Sequence, residues 1–292
     1  MKLEPIVWFE EVVKTYQTIA PFIHHTQVVT CPDLNEELGG KYLFKPESLQ
    51  ITGSFKVRGA LSAISRLSKE QLEHGVVAYS SGNHAQGVAH AAKLFKTPAI
   101  VVMPKDAPVK KIENAKALGA EVVFYDRSND IREEMAAEIA QEKNLSLIKP
   151  YDSLETIFGQ ATAAYEVIHD VNNPKIDNAI ICAGGGGLTA GSCIPLKHIN
   201  PECNIFTAEP KEWNDHEQSF KASKRVSIDT NRFGLCDGIL TPTPGEVPFA
   251  INQHYGVTGL SASDDMVCKA MSFAFNRLNL KLEPSGAVAL AC

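Results

Sequence analysis

Nowhere in the 292 residues do eighteen apolar residues run together, so no segment reads as a membrane-spanning helix. The N-terminal MKLEPIVWFEEV carries charges inside its first apolar stretch and no cleavage-site pattern, which argues against export. Positive charge is also in short supply. The chain has 28 Lys and Arg against 34 Asp and Glu, a formal charge of -6, and the basic residues are scattered. The phosphate-neutralising patch that nucleic-acid binding demands is therefore missing. The seven cysteines form no CxxC pair, and several sit in apolar runs where a reduced, buried thiol is the simple reading. No Gly/Ser linker, low-complexity run or internal repeat divides the chain. The expectation is a cytoplasmic protein that neither enters a membrane nor binds nucleic acid.

What is present is core-forming material. At 44% hydrophobic content the chain is long enough for two packed lobes without a disulfide or metal. Strand-like apolar runs alternate with helix-period segments, the pattern of parallel sheets covered on both faces, so the fold class is α/β. VVAYS, AIVVMP and EVVFYD are predicted strands, separated by helices from about Asn83 and from Lys110 to Leu118. In a third helix Ile131, Met135 and Ile139 recur at i, i+4 and i+8, predicting a buried stripe beneath the charges of Arg132, Glu133, Glu134 and Glu138. After LSLIKP the alternation restarts with a helix from about Leu154, then AIICAGGGG, a helix, NIFTAEP, an irregular stretch, YGVTGL, and a helix from about Ser263. Residues 76–150 are read as a small lobe inserted into a larger one made of 1–75 and 151–292.

Four separated stretches carry chemistry. Lys56, in ITGSFKVRGA, lies at an apparent loop-to-helix start, with Thr52 and Ser54 as cap candidates. A lysine forms a Schiff base only as the neutral amine, so it needs desolvation or neighbouring positive charge. Alone at a helix start, it is more commonly a solvated surface group. SSGNHAQG follows a strand and opens a helix, whose unsatisfied N–H groups suit an anion such as a carboxylate. Ser80, Ser81 and Asn83 could equally be plain helix caps, and His84 an inert neighbour. Gly184 to Gly187 cost conformational entropy, and their bare backbone can wrap a phosphate. That run satisfies GxGxxG in no register, because Leu188, Thr189 and Ala190 occupy the critical places, which argues against a nicotinamide dinucleotide. In EPSG, Glu283 stands before a proline, where a lone glutamate marks a strand end.

In order and chemistry the four stretches resemble the fold-type II pyridoxal-phosphate enzymes of the serine/threonine dehydratase and serine racemase family, over nearly the whole chain. The resemblance implies a two-lobed, tryptophan synthase β-like fold with mostly parallel sheets, and pyridoxal 5'-phosphate as cofactor. It implies that Lys56, beside Phe55, carries the cofactor and later acts as the base at Cα. Asn83 would face the ring's phenolic oxygen, Glu283 would lie near the cofactor, and Gly184, Gly185, Gly186, Gly187 and the amide of Leu188 would hold its phosphate. The loop of Ser80, Ser81, Gly82, Asn83 and His84 would bind the substrate carboxylate, His84 through its backbone. In TAEPKEWND, Glu209, Asp215 and the carbonyl of Trp213 coincide with positions that bind Mg2+ or Ca2+ in serine racemase-like members, a set suited to a hard cation.

The reaction so implied is β-elimination of L-serine, L-threonine or threo-3-hydroxyaspartate to a 2-oxo acid and ammonia. Ser81 occupies the place of a second acid/base on the face opposite the lysine, which favours racemisation of serine or aspartate. Tyr151 and Asp152, in KPYDSLETIFGQAT, resemble the dehydratase form of their loop. Elimination ranks first and racemase activity is the alternative. The family's residue beside the pyridine nitrogen lies on a glycine-rich strand with no counterpart before Cys292. A third reading is therefore a catalytically silent, cofactor-binding paralogue, against which the retention of Lys56, Ser81 and Asn83 argues. A homodimer acting on a small amino acid is the expected state.

Overall fold

The computed structural model describes residues 5–80, 82–127, 129–171, 175–230 and 234–292, with side chains from Trp8 onward. The chain opens with α1 (Pro5–Ile19), then β1 (Val29–Thr30), α2 (Pro32–Leu38) and β2 (Leu43–Phe44), the two short strands pairing antiparallel. Next come α3 (Lys56–Ile64) and α4 (Lys69–His74), whose Ser68 and Gln71 form a reciprocal capping box.

The segment that follows alternates regularly: β3 (Val76–Tyr79), α5 (Asn83–Phe95), β4 (Ala99–Pro104), α6 (Val109–Ala117), β5 (Glu121–Tyr125), α7 (Arg132–Glu142) and β6 (Ser146–Leu147). Its strands form a parallel sheet in the order β5-β4-β3-β6. Strands β3 and β4 are buried along their whole length, as continuous apolar runs in a sheet covered on both faces must be.

The rest comprises α8 (Leu154–Asp170), β7 (Asn178–Cys182), α9 (Gly187–Ile199), β8 (Asn204–Pro210), α10 (Asp215–Ala222), α11 (Glu246–His254), β9 (Thr258–Ala262), α12 (Asp264–Leu278) and α13 (Pro284–Ala291). Its three strands are parallel in the order β7-β8-β9. Two helix-covered parallel sheets make this the α/β architecture expected.

Helix α3 is the keystone, because every residue from Val57 to Ile64 is buried. On one side it meets α5, where a Cβ on Gly87 would stand 3.1 Å from the Lys56 carbonyl. On the other it meets α8 so closely that a Cβ on Gly159 would lie 2.4 Å from the Arg58 carbonyl oxygen. Arg58, wholly buried, completes this anchor. Its guanidinium donates to both oxygens of Glu166 at 2.8 Å and to Glu47 at 2.7 and 2.9 Å. Lys45 adds a further contact to Glu166 at 2.7 Å.

Helix α7 departs from the sequence expectation. Ile131 precedes the helix and is 56% exposed, while the wholly buried residue is Ala136, against which Met135 and Ile139 pack half-buried. The sheet face beneath presents Tyr79 and Tyr125, whose bulk leaves room for a small side chain. Arg132, expected on the charged face, is turned inward over the Tyr79 ring at 5.7 Å.

Candidate active site

The loops leaving the carboxyl ends of β3, β6 and β7 carry Gly82 and Asn83, Ile148 to Tyr151 and Ala183 to Gly187; Pro150 meets Lys56 at the start of α3, and Tyr151 meets Gly185. This is where open parallel sheets place their ligand clefts. Lys56 is the first residue of α3, half-buried in the wall of the cleft. Its amine donates to the carbonyl of Pro150 at 2.9 Å and lies 5.2 Å from the Phe55 ring centroid and 6.0 Å from that of Tyr151. Desolvation, and then the nearby positive charge of Arg132, push the amine down to about 8. Near neutral pH an appreciable share is therefore unprotonated, the condition a Schiff-base lysine must meet. Thr52 and Ser54 do not cap α3. Phe55, already helical, stands at its start, and the buried hydroxyls of Thr52 and Ser54 have no hydrogen-bond partner among the described residues.

Helix α5 begins after Gly82 without a side-chain cap, so the capping alternative for Ser80 and Asn83 does not hold. The Ser80 hydroxyl accepts the Gly82 N–H at 3.1 Å, which tightens the loop. Ser81 lies outside the described residues. The Asn83 amide donates to Glu283 at 2.6 Å, joining the start of α5 to the start of α13. Glu283 thus precedes a helix rather than ending a strand, because Pro284 is tolerated in a first helical turn. Lys111 of α6 reaches the same spot, 3.7 Å from Glu283 and 3.4 Å from Asp237, with its stem against Gly82. The His84 ring is buried, its Nε2 paired with the Ile148 carbonyl at 2.9 Å. Burial and the charge of Lys56 hold it down to about 3, so it is neutral and its side chain is committed to structure.

The glycine run forms the start of α9, with Gly186 at φ +89°, a conformation glycine adopts without strain. The N–H groups of a first helical turn have no intrahelical acceptors and carry partial positive charge. The missing side chains also admit neighbours: a Cβ on Gly185 would stand 2.3 Å from the Tyr151 ring, and one on Gly186 2.4 Å from His216. His216 donates from Nε2 to the Gly184 carbonyl at 2.7 Å.

Glu209, near the end of β8, and Asp215, first in α10, are both buried. Glu209 accepts the backbone N–H groups of His216 at 2.8 Å and Glu217 at 2.9 Å, and the Asp215 carboxyl lies against that of Glu209 with no other side-chain partner among the described residues. Burial raises both carboxyls above the usual range, and the charge of Glu209 adds to the rise of Asp215. Trp213, buried in the short turn Lys211–Trp213, lies in the loop between them. Among the described residues no group of three or more His, Cys, Asp or Glu is placed to hold a metal.

The sequence did not single out Arg132, Lys111 or His216, which enter the cleft or its walls from elements far along the chain. The residues present fit a phosphorylated pyridine aldehyde: a desolvated amine, unpartnered hydroxyls beside it and a side-chain-free helix start. Comparison with known proteins agrees. Residues 19–292 match the family described as pyridoxal-phosphate dependent enzyme. The chain is 38% identical to a serine racemase of Schizosaccharomyces pombe, over 97% of this chain and 87% of that protein. It is also 38% identical to an L-threo-3-hydroxyaspartate ammonia-lyase of Saccharomyces cerevisiae, over 97% of this chain and 86% of that protein. The structure of maize serine racemase superposes with a TM-score of 0.92 at 36% identity, covering 97% of this chain and 85% of that one. With a matching family model across nearly its whole length and a cleft that suits the group, the chain belongs to the pyridoxal-phosphate dependent enzymes, and pyridoxal 5'-phosphate is its cofactor.

Proposed function

We propose that this enzyme is a lyase that eliminates the β-hydroxyl of a small hydroxy amino acid, yielding a 2-oxo acid and ammonia. The observation that carries the reading is the amine of Lys56, desolvated in the cleft and held down to about 8. When bound, pyridoxal phosphate supplies the electron sink for the pair left at Cα. Lys56 would hold the cofactor and then take the Cα proton at Nζ, with the Pro150 carbonyl fixing the direction of the amine. Gly184, Gly185, Gly186, Gly187 and the Leu188 amide would bind the phosphate through the helix start. The loop of Ser80, Ser81, Gly82, Asn83 and His84 would bind the substrate carboxylate. Asn83, its amide oriented by Glu283, would face the ring oxygen, with Phe55 lining the ring. Glu209, Asp215 and the Trp213 carbonyl would hold Mg2+ or Ca2+, hard cations to which two adjacent buried carboxyls are suited.

Among the three substrates, 3-hydroxyaspartate has the strongest support. Arg132, close enough to lower the Lys56 amine, would exchange its 2.8 Å pair with Glu133 for a second carboxylate, and one 38% identical relative is named for that substrate. Racemisation is a second reading, favoured by the identity of Ser81 and by the similarity to serine racemases. We further propose that residues 76–150 form a small lobe inserted into the remainder, and that the enzyme is a cytoplasmic homodimer.

The test is a visible absorbance spectrum of the purified protein, before and after L-serine, L-threonine and threo-3-hydroxyaspartate, with 2-oxo acid and D-amino acid assayed alongside. The expected result is a visible band lost in Lys56→Ala, and 2-oxo acid formed fastest from threo-3-hydroxyaspartate. Arg132→Met should then reduce that preference roughly 10- to 100-fold, the worth of a hydrogen bond to a charged group. A band with D-amino acid and no 2-oxo acid would assign racemisation. A band with neither product would leave the silent paralogue, and no band in the wild type would overturn the lysine's role.

A further inference from the structure

Glycines from two separated segments leave room for one phenol. A Cβ on Gly185 would stand 2.3 Å from the Tyr151 ring, one on Gly245 2.9 Å from it, and one on Gly187 2.9 Å from the Tyr151 Cβ. The two segments are tied together, the Gly245 N–H donating to the Gly185 carbonyl at 3.0 Å. The backbone that carries the ring is pinned on both sides. Before it, the Pro150 carbonyl accepts from the Lys56 amine at 2.9 Å. After it, Asp152 accepts the Val247 N–H at 2.9 Å, in the first turn of α11, and Ser153 caps α8 by accepting the Thr156 N–H at 3.3 Å. Tyr151 is thereby held in the wall of the cleft, half-buried, its ring centroid 6.0 Å from Nζ of Lys56.

Arg132 places the phenol more closely. Its charge acts on both the Lys56 amine and the Tyr151 phenol, so an amine, a guanidinium and a phenol converge on one region. A 3-hydroxyaspartate with its Cα at Lys56 and its second carboxylate at Arg132 has its Cβ, which bears the hydroxyl, between the two. Tyr151 is near both of them. Other donors in that region are committed elsewhere. His84, held down to about 3 by burial and the charge of Lys56, is neutral and gives its Nε2 proton to the Ile148 carbonyl. Tyr79 is buried, its ring beneath the Arg132 guanidinium at 5.7 Å. Burial raises the Tyr151 phenol above its ordinary 10, with the charge of Arg132 opposing, so the phenol keeps its proton at neutral pH.

We infer that Tyr151 is a catalytic residue, whose phenol O–H protonates the departing β-hydroxyl while Lys56 takes the Cα proton. The inference rests on the elimination proposed above and on Arg132 as the seat of a second carboxylate. The step balances without a further reactant. The pair of the Cα–H bond becomes the second bond between Cα and Cβ, the Cβ–O pair leaves on oxygen, and the phenol proton completes a water molecule. The Lys56 ammonium then returns its proton to the phenolate, and both groups regain their starting states. Hydroxide leaves poorly and water leaves well, so an acid at this place lowers the barrier to elimination.

The experiment compares the wild type with Tyr151→Phe, both loaded with pyridoxal phosphate, on threo-3-hydroxyaspartate and on 3-chloro-L-alanine, whose chloride departs without a proton. In Tyr151→Phe, 2-oxo acid from the hydroxy acid should form roughly 100- to 10,000-fold more slowly, the usual contribution of general acid–base catalysis. The chloro substrate should be eliminated at a rate close to that of the wild type. Exchange of the Cα proton with heavy water, read by NMR, should persist in the variant, because Lys56 is intact. Equal losses on both substrates would reduce the ring to a packing element, and no loss on the hydroxy acid would also overturn the role. A second measurement needs no turnover. With 3-fluorotyrosine at position 151 of the cofactor-free chain, fluorine NMR follows ionisation of the phenol, and Arg132→Met should move that ionisation to higher pH. An ionisation indifferent to Arg132 would show that phenol and guanidinium do not converge, and would overturn the role as well. A wild type with the visible band but no 2-oxo acid from the hydroxy acid would refute the elimination reading itself, and the role with it.

Discussion

Removing the amine of Lys56 should stabilise the cofactor-free protein, and the gain should depend on pH. The lysine falls from its ordinary 10.5 to about 8 in the folded cleft, a drop of about 2.5 units, or about 3 kcal/mol at 1.36 kcal/mol per unit. Because the side chain is half-buried and its cleft admits water, this is an upper bound. The sign follows from proton counting. Below the folded pKa both states carry the proton, and the folded state bears the full cost of a desolvated ammonium. Between about 8 and 10.5 the unfolded chain binds more protons than the folded one, so stability rises with pH through that window. Lys56→Met, of similar volume and uncharged, escapes the cost. Urea unfolding of both cofactor-free proteins at closely spaced pH values should therefore find Lys56→Met more stable by up to about 3 kcal/mol at pH 7. The difference should shrink steadily above about pH 8 and vanish above about 10.5. A difference that is constant across pH, or a wild type that is the more stable at pH 7, would refute a desolvated amine and with it the physical basis for a Schiff-base lysine here.

Two other perturbations test the framework around the cleft. Glu166→Ala leaves the wholly buried guanidinium of Arg58 without its bidentate partner and should cost about 3–5 kcal/mol by urea unfolding, whereas Asp265→Ala, whose pair with Lys269 is exposed, should leave the midpoint unchanged. Gly185→Ala drives a Cβ to 2.3 Å from the Tyr151 ring and should destabilise by about 1–3 kcal/mol; a cost that persists in a Tyr151→Ala background would show the ring contact to be irrelevant.

Some parts of this site were legible because they are local. A lysine at a helix start, a serine–glycine–asparagine turn after a strand and a run of glycines each state their backbone chemistry within a few residues. The alternation of apolar runs with helix-period segments likewise predicted β3, β4, β5, β7, β8 and β9 close to where they stand, while the two-residue β6 was not among the expected strands. Expectations failed where local pattern competes with packing. Periodicity put Ile131 in the core, but the tyrosines of the sheet face selected Ala136 and drew Arg132 inward. Propensity made caps of Thr52 and Ser54, but the chain enters α3 already helical at Phe55.

By itself, then, the sequence determined the α/β class and the family, and it singled out the lysine at the start of α3, because motifs are short and their backbone demands are stated in place. Only the tertiary structure decided that the Lys56 amine is desolvated near Arg132, that Lys111 and Asn83 converge on Glu283, and that the His216 ring donates to the Gly184 carbonyl. The physical reason is that burial, charge proximity and close contact are properties of space. Residues far apart in the chain acquire them only when helices and sheets pack, and no periodicity or spacing along a single sequence encodes which distant side chain will fill the place a glycine leaves open.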